Sequence, residues 1–501
     1  MTLNPKDLTY ITVSELYSHT LTELRDMAAF FGVDSPTKRS KKELVEMIYR
    51  AKCGDSTVFH KEGLRGRPNS PPKGKYYINW DKVPELHRKS NGDNLYTGVF
   101  KASDNVVNHD KVDRPNAFEK EEDINSQLGE EEFCGFLNII TDTYGFVRMD
   151  KSVMSDDDVY INIKTIREYN LREGDLISCV VKKYPKGKKK VVIKVITING
   201  LHVTACADRP SFDSLVPIFP HEKYSLEGFL GNSNISSRAI DLICPIGKGQ
   251  RALVVAPPKA GKTTLIKNIA NAIVKNYPNS LLFMLLIDER PEEVTDMKMS
   301  VEAEVLSSTF DESANNHIRI AETALNRAKR EVECGRDVVI IMDSLTRLAR
   351  AYNAVTESTG KTMTGGLSAQ SLNLAKKFFG AGRCIQNGGS LTIIATALVD
   401  TGSKMDDIIY EEFKGTGNME LVLSRKLADH RIFPAIDISK SSTRREDLLL
   451  SNEEIKAISQ IRRFTLKNEL EATTEFFDLI DNTKSNAELC GKVNSKKIKL
   501  S

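Results

Sequence analysis

The sequence has no CxxC pair. Its eight cysteines (53, 134, 179, 206, 244, 334, 384, 490) are scattered, so neither a zinc site nor a disulfide framework is indicated, and a reducing cytoplasm fits best. It also lacks any apolar run approaching the ~20 residues of a membrane helix, and MTLNPKDLTY has neither the basic region nor the apolar core of a secretory leader. The expectation is a cytoplasmic chain with no membrane partner. Nor does charge of one sign dominate: 71 Lys and Arg against 68 Asp and Glu leave a formal +3, which names no partner. The basic clusters at Lys38–Lys42, Lys182–Lys190 and Lys492–Lys499 are local, and each also reads as a solvated face.

At 501 residues, 40% hydrophobic and 28% charged, the chain is a soluble globular protein too long for one ordinary core. Residues 14–52 carry apolar positions at helical spacing, including Leu21, Leu24, Leu44 and Ile48, broken by the turn Gly32 to Pro36. A helical module over 1–53 follows. Residues 54–130 lose periodicity and fill with Pro, Gly, Asn, Lys and Asp, which predicts a largely disordered linker. Over 131–204, five short β-like runs separated by turn residues predict a small barrel of the OB type. A connector over 205–240 precedes RALVVA, LLFMLLID, DVVIIMD, LTIIATAL and MELVLS, which alternate with helical stretches and predict an α/β domain with a mostly parallel sheet over 241–480. Residues 481–501 read as a basic C-terminal tail.

The segment Ala256-Pro257-Pro258-Lys259-Ala260-Gly261-Lys262-Thr263 lies between the strand RALVVA and an apolar-faced helix, the context a P-loop requires. Backbone N–H groups there cradle phosphates, Lys262 neutralises their β and γ oxygens, and the Thr263 hydroxyl ligates magnesium. The usual first glycine is missing, replaced by Ala256, and the bland alternative is a chance turn. Asp343 ends the strand Val338 to Met342, where a magnesium carboxylate belongs, and Ser344 is placed to share that role. Glu289 lies just past LLFMLLID, at the same sheet edge, where a carboxylate orients an attacking water; otherwise it is a plain helix-start acid.

The phrases APPKAGKTTL, LLIDERPEEVTDM, IIMDSLTRLARAYN, GKTMTGGL, LTIIATALVDTGSKMDDIIYEEFKGTGNMEL and RIFPAIDISKSSTRRE, taken in order, resemble the bacterial transcription termination factor Rho family through most of 205–480. The resemblance continues more weakly into the barrel and the N-terminal module. It implies a RecA-like homohexameric ring that hydrolyses ATP with Mg2+ at subunit interfaces and moves along single-stranded RNA, pulling the nascent transcript from the RNA polymerase elongation complex. Position by position it implies that Pro258, Lys259, Ala260, Gly261, Lys262, Thr263 and Thr264 bind phosphate and that Phe433 stacks on adenine. It makes Asp343 the metal carboxylate, Glu289 the catalytic acid that activates water, and Arg444 a finger reaching the neighbouring subunit, against the alternative of a surface cation beside Arg445. Arg290, Arg347, Arg425 and Arg431 become interface or sensor candidates.

In the barrel, Tyr144, Phe146 and Arg148 alternate along one strand and Tyr160 lies in the next run, a pattern that stacks bases with little sequence discrimination. The alternative places Phe146 and Tyr160 in the barrel core. TDTYGFVRM and DDVYIN resemble the family's cold-shock-like primary RNA site, whereas KGKKKVVIKV lacks the aromatic many members carry there, which favours phosphate contacts from Lys186, Lys188, Lys189 and Lys190. Lys361 and Lys404, each in a Gly-containing loop, match the family's second RNA site; elsewhere such lysines are usually solvated. The N-terminal module resembles the family's N-terminal helical domain, which implies that Lys38, Arg39, Lys41 and Lys42 add non-specific nucleic-acid affinity. Two rivals remain open: a ring ATPase acting on protein, and a non-hydrolysing RNA-binding protein.

Overall fold

The computed structural model describes residues 24, 41, 44, 130–149, 158–182, 190–228, 235–356, 362–363, 366–465 and 469–495. The chain divides into two compact units, 1–117 and 118–501. In the first, Leu24, Lys41 and Leu44 are helical, with both leucines buried and the lysine exposed. The rest of the expected 1–53 module, and the expected 54–130 linker apart from Glu130, lie outside the described residues.

The second unit opens with a closed barrel. Strands β1 (Glu130–Thr141), β2 (Tyr144–Arg148), β3 (Val159–Asn162), β4 (Leu176–Lys182) and β5 (Val191–Ile198) pair in the order β3-β2-β1-β4-β5, and a β3–β5 contact closes the ring. That closing pair is parallel and the others antiparallel, the pairing of a five-stranded OB-type barrel. A short helix, α1 (Ile163–Glu168), leaves β3 under an Asn162 cap, and a two-residue strand, β6 (Leu201–His202), extends the sheet beyond β5. Alternation puts Leu137, Val147, Val159, Ile161, Ile177 and Val181 inside.

The ATPase-like part follows. Helix α2 (Ile235–Ile243) leads into β7 (Arg251–Ala256), α3 (Lys262–Asn276), β8 (Leu281–Glu289), α4 (Pro291–Ser300), β9 (Glu304–Thr309), α5 (Ala314–Glu333), β10 (Asp337–Asp343), α6 (Leu345–Val355), α7 (Ala369–Gly380), β11 (Ser390–Leu398), α8 (Lys404–Lys414) and β12 (Met419–Val422). These six strands pair all-parallel in the order β9-β8-β10-β11-β7-β12. Both faces of the sheet are covered: one cluster gathers Ile266, Ile269, Met284 and Ile341, the other Leu253, Leu285, Ile340, Leu348 and Phe378. This burial on two sides is why the strands read as continuous apolar runs. The expected multidomain architecture of OB barrel and parallel-sheet P-loop domain is present.

Two expected boundaries are corrected. Residue 241 falls inside α2, whose Ile240, Leu242 and Ile243 belong to the ATPase core, so that domain starts before the connector was expected to end. The stretch read as a basic tail instead contains α11 (Asn486–Asn494), which follows α9 (Asn452–Thr465) and α10 (Glu469–Asp481). Leu489, Cys490 and Val493 of α11 are buried in the core, and Asn486 Oδ1 accepts a hydrogen bond at 3.1 Å from the buried Arg238. The lysines hid an apolar i, i+1, i+4 face.

Candidate functional site

The candidate nucleotide site sits at the carboxyl edge of the parallel sheet, where the loops after β7, β8 and β10 converge. Ala256 is the last residue of β7 and pairs with Leu398. An extended strand residue has no need of glycine, which accounts for alanine at that P-loop position. Gly261, by contrast, caps α3 with φ at +82°, and a Cβ there would lie 3.5 Å from the Phe433 ring, so backbone conformation is what requires glycine. Pro258 and Lys259 are exposed, Ala260 is buried, and Thr263 and Thr264 lie in the first turn of α3. Phe433 is 46% exposed beside this loop, an open ring face.

Lys262 Nζ lies 2.6 Å from Asp343 Oδ1. The Thr396 hydroxyl of β11 donates to the same oxygen at 2.7 Å. Glu289 is the final residue of β8 rather than the residue after it, and only 4% exposed. Burial, reinforced by the neighbouring Asp343 carboxylate, pushes its carboxyl up to about 7, while Arg347 and Lys262 hold it down. Its buried Oε2 takes no hydrogen bond from the described residues; Arg347 approaches it at 3.6 Å and reaches Asp288 at 3.4 Å. A carboxylate of this acidity, with an open acceptor, is suited to orient water and take its proton near neutral pH. Thr263 and Asp343 supply hard oxygens of the kind magnesium selects. The Ser344 hydroxyl accepts the Arg347 N–H at 3.2 Å as the cap of α6.

The cationic candidates separate. Arg347 belongs to the site. Arg290 stands at the N-cap position of α4 with its side chain exposed, Arg425 pairs with Asp429 on the surface at 3.8 Å, and Arg431 is exposed with φ at +59°. Arg444 is exposed at the opposite end of the sheet: its N–H donates to Asn418 O beside the start of β12, level with the start of β7. Five strand steps separate that level from the P-loop, roughly 16 Å at the usual rise.

On the barrel, Phe146 faces Tyr160 across β2 and β3. Tyr144 stacks on Tyr160 at 5.7 Å, and Phe146 meets both edge-on at 5.7 and 6.2 Å. All three rings are half-exposed, and the core positions belong to Val147, Val159 and Ile161 instead. The core alternative for Phe146 and Tyr160 is therefore set aside. Arg148 departs from the expected alternation. It is buried, donating to Asp158 at 2.9 Å with its guanidinium 5.8 Å from the Phe146 ring, because the buried carboxylate draws it down from the exposed face. Lys190 pairs with Glu131 at 2.6 Å beside this face. Lys186, Lys188 and Lys189 lie outside the described residues.

Lys404 is exposed and opens α8, just after Gly402 at φ +78°; below it Asp406 is anchored by Arg350 at 2.8 Å and by the Thr401 hydroxyl. Lys361, Lys38, Arg39 and Lys42 lie outside the described residues. Sequence reasoning missed Thr396, whose only signal was a hydroxyl in an otherwise apolar strand. It also missed the buried cluster of Asp175, Arg209 and Glu333 joining barrel to ATPase domain, whose members are scattered along the chain.

Comparison with known proteins places this geometry. The family model "Rho termination factor, RNA-binding domain" matches residues 133–204, and "ATP synthase alpha/beta family, nucleotide-binding domain" matches 236–443. The transcription termination factor Rho of Neisseria gonorrhoeae is 52% identical over 358 residues, covering 70% of this chain and 85% of that protein. That of Thermotoga maritima is 50% identical over 367 residues, covering 72% and 86%. A solved ATPase of a bacterial type III secretion system is similar at TM-score 0.44 and 25% identity, over 52% of this chain and 82% of that one. With a barrel of OB topology, a parallel P-loop domain and half-identity across most of its length, the chain belongs to the transcription termination factor Rho family.

Proposed function

We propose that the chain is an ATP-driven RNA translocase and RNA/DNA helicase that loads on nascent transcripts and releases them from RNA polymerase. The observation that supports it most is the presence in one chain of two features. One is a buried Glu289 beside Lys262 and Asp343; the other is a half-exposed three-ring face on the barrel. In this reading Lys262 exchanges its contact with Asp343 for the nucleotide phosphates, which the N–H groups opening α3 also hold. Thr263 and Asp343 are the residues that would hold magnesium, which would supply positive charge beside the phosphate oxygens. Glu289 orients the attacking water and accepts its proton, with Arg347 fixing the carboxylate. Phe433 offers its open face to adenine.

Arg444 is too far from the P-loop of its own chain to serve it, which supports catalysis shared between subunits of a homohexameric ring. Tyr144, Phe146 and Tyr160 stack bases of single-stranded RNA, and Arg148 shapes that face from beneath through Asp158. Lys404 is the second RNA contact, together with Lys361. Lys404→Ala is expected to spare initial RNA binding and lower RNA-stimulated turnover.

The test is steady-state ATP hydrolysis with no nucleic acid, with single-stranded RNA and with single-stranded DNA, using Lys262→Ala as control. Stimulation by RNA but not DNA, lost in the control, is the expected result. Hydrolysis indifferent to RNA would transfer the reading to a ring ATPase with a protein substrate.

A further inference from the structure

Thr396 is fully buried on β11, flanked in sequence by Ile393, Ile394, Ala395 and Ala397, all in the core. A hydroxyl in such a run is unfavourable unless it meets a partner. Parallel pairing aligns Met342 with Ala395, so Thr396 lies alongside Asp343 on the neighbouring strand, and its hydroxyl donates to Asp343 Oδ1 at 2.7 Å. Lys262 donates to that same oxygen at 2.6 Å. The two donors differ in permanence. Lys262 is the group that phosphates draw away, whereas Thr396 is fixed by the strand and stays.

We propose that Thr396 is the positioning residue of the metal site. It holds Asp343 Oδ1 once Lys262 has moved to the nucleotide, so that the carboxylate keeps one orientation and its other oxygen is presented to the cation. The inference rests on Asp343 being the metal carboxylate. Partners of this kind orient a ligand without touching the metal, and their loss typically lowers metal affinity ~10–100-fold.

The experiment is a titration of full-length protein with Mn2+ in the presence of ADP, read by electron paramagnetic resonance, on wild type, Thr396→Val, Thr396→Ser and Asp343→Asn. ADP affinity in EDTA and thermal melting are measured alongside. Thr396→Val is expected to weaken Mn2+ binding ~10-fold or more, with metal-free ADP affinity unchanged and Thr396→Ser close to wild type. Wild-type Mn2+ binding by Thr396→Val, with Asp343→Asn deficient, would overturn the role of Thr396 and leave the site intact. Wild-type binding by Asp343→Asn would remove the metal carboxylate itself, and the proposal with it. Equal weakening in Thr396→Val and Thr396→Ser would assign the effect to packing and also reject it. If the valine variant does not fold, Thr396→Ala replaces it: with no donor at all, it must show the same loss, and wild-type binding by it would sink the idea.

Discussion

Glu289 carries the sharpest expectation at the scale of single residues. Only its deprotonated form accepts a proton from water, so kcat/KM is expected to rise with pH and level off above about 7, the value to which burial and Asp343 push it. Arg347→Gln removes a cation that holds it down, and the rising limb should move to higher pH; an unmoved limb would separate Arg347 from the base. The same shift acts on folding with opposite sense. A carboxyl whose folded pKa lies above its unfolded one places no charge penalty on the fold at low pH. The penalty develops as pH rises from the ordinary carboxyl range through about 7 and is full above it. Glu289→Gln should therefore be inactive yet more stable than wild type at pH 8, with the difference gone at pH 4, as followed by urea unfolding. Arg444 gives the second expectation. Arg444→Ala should lower turnover ~10³-fold or more while ATP affinity holds, and mixing it with Lys262→Ala should restore partial activity if the finger acts on a neighbour.

At the scale of elements, β2 and β3 divide their side chains by alternation. Val147, Val159 and Ile161 close the barrel while Tyr144, Phe146 and Tyr160 form one outer face. Each base stacked there is worth ~1–3 kcal/mol, so Tyr144→Ala with Phe146→Ala, if each ring stacks one base, should weaken RNA binding by about 1.5 to 4 orders of magnitude without unfolding the barrel. Fluorescence anisotropy with a short single-stranded RNA, checked by far-UV circular dichroism, decides it; unchanged affinity in a folded double variant would move the primary site elsewhere. The three rings lie outside the buried core of the barrel, which is why the fold should survive their loss.

At the scale of the molecule, the barrel is tied to the ATPase domain through buried charge. Arg209 reaches Asp175 of the barrel at 2.6 Å and Glu333 at the end of α5 at 3.4 Å, and Arg172 meets Glu333 at 2.7 Å. Arg327 of α5 adds its guanidinium, 3.8 Å from the Phe136 ring of β1 and paired with Glu304 at 2.6 Å. The two domains thus share one buried, charged seam. Arg209→Met leaves the buried Asp175 carboxylate without its ion-pair partner and should destabilise the chain by ~3–5 kcal/mol. If the seam transmits RNA occupancy, the variant's residual folded fraction should bind RNA normally but respond to it weakly in hydrolysis. Normal stimulation would confine the cluster to a role in stability.

Local chemistry was legible along the chain because it is written in contiguous residues. The P-loop, Asp343 at the end of an apolar strand, Glu289 at the end of another and the aromatic alternation of β2 each rest on neighbours in sequence, and the sheet and barrel follow from periods of burial. Distance in sequence decided the rest. Thr396 meets Asp343 only because β10 and β11 are adjacent in the sheet, and Arg148 leaves the outer face only because Asp158 is folded beneath it. Arg444 is separated from its own P-loop by the length of β7. Residues 486–494 become core rather than tail because α11 packs onto α2 and α9, a contact that no local pattern of charge encodes. Side-chain identity along a strand sets which groups are present, whereas pairing partners across the sheet set which of them meet and at what acidity.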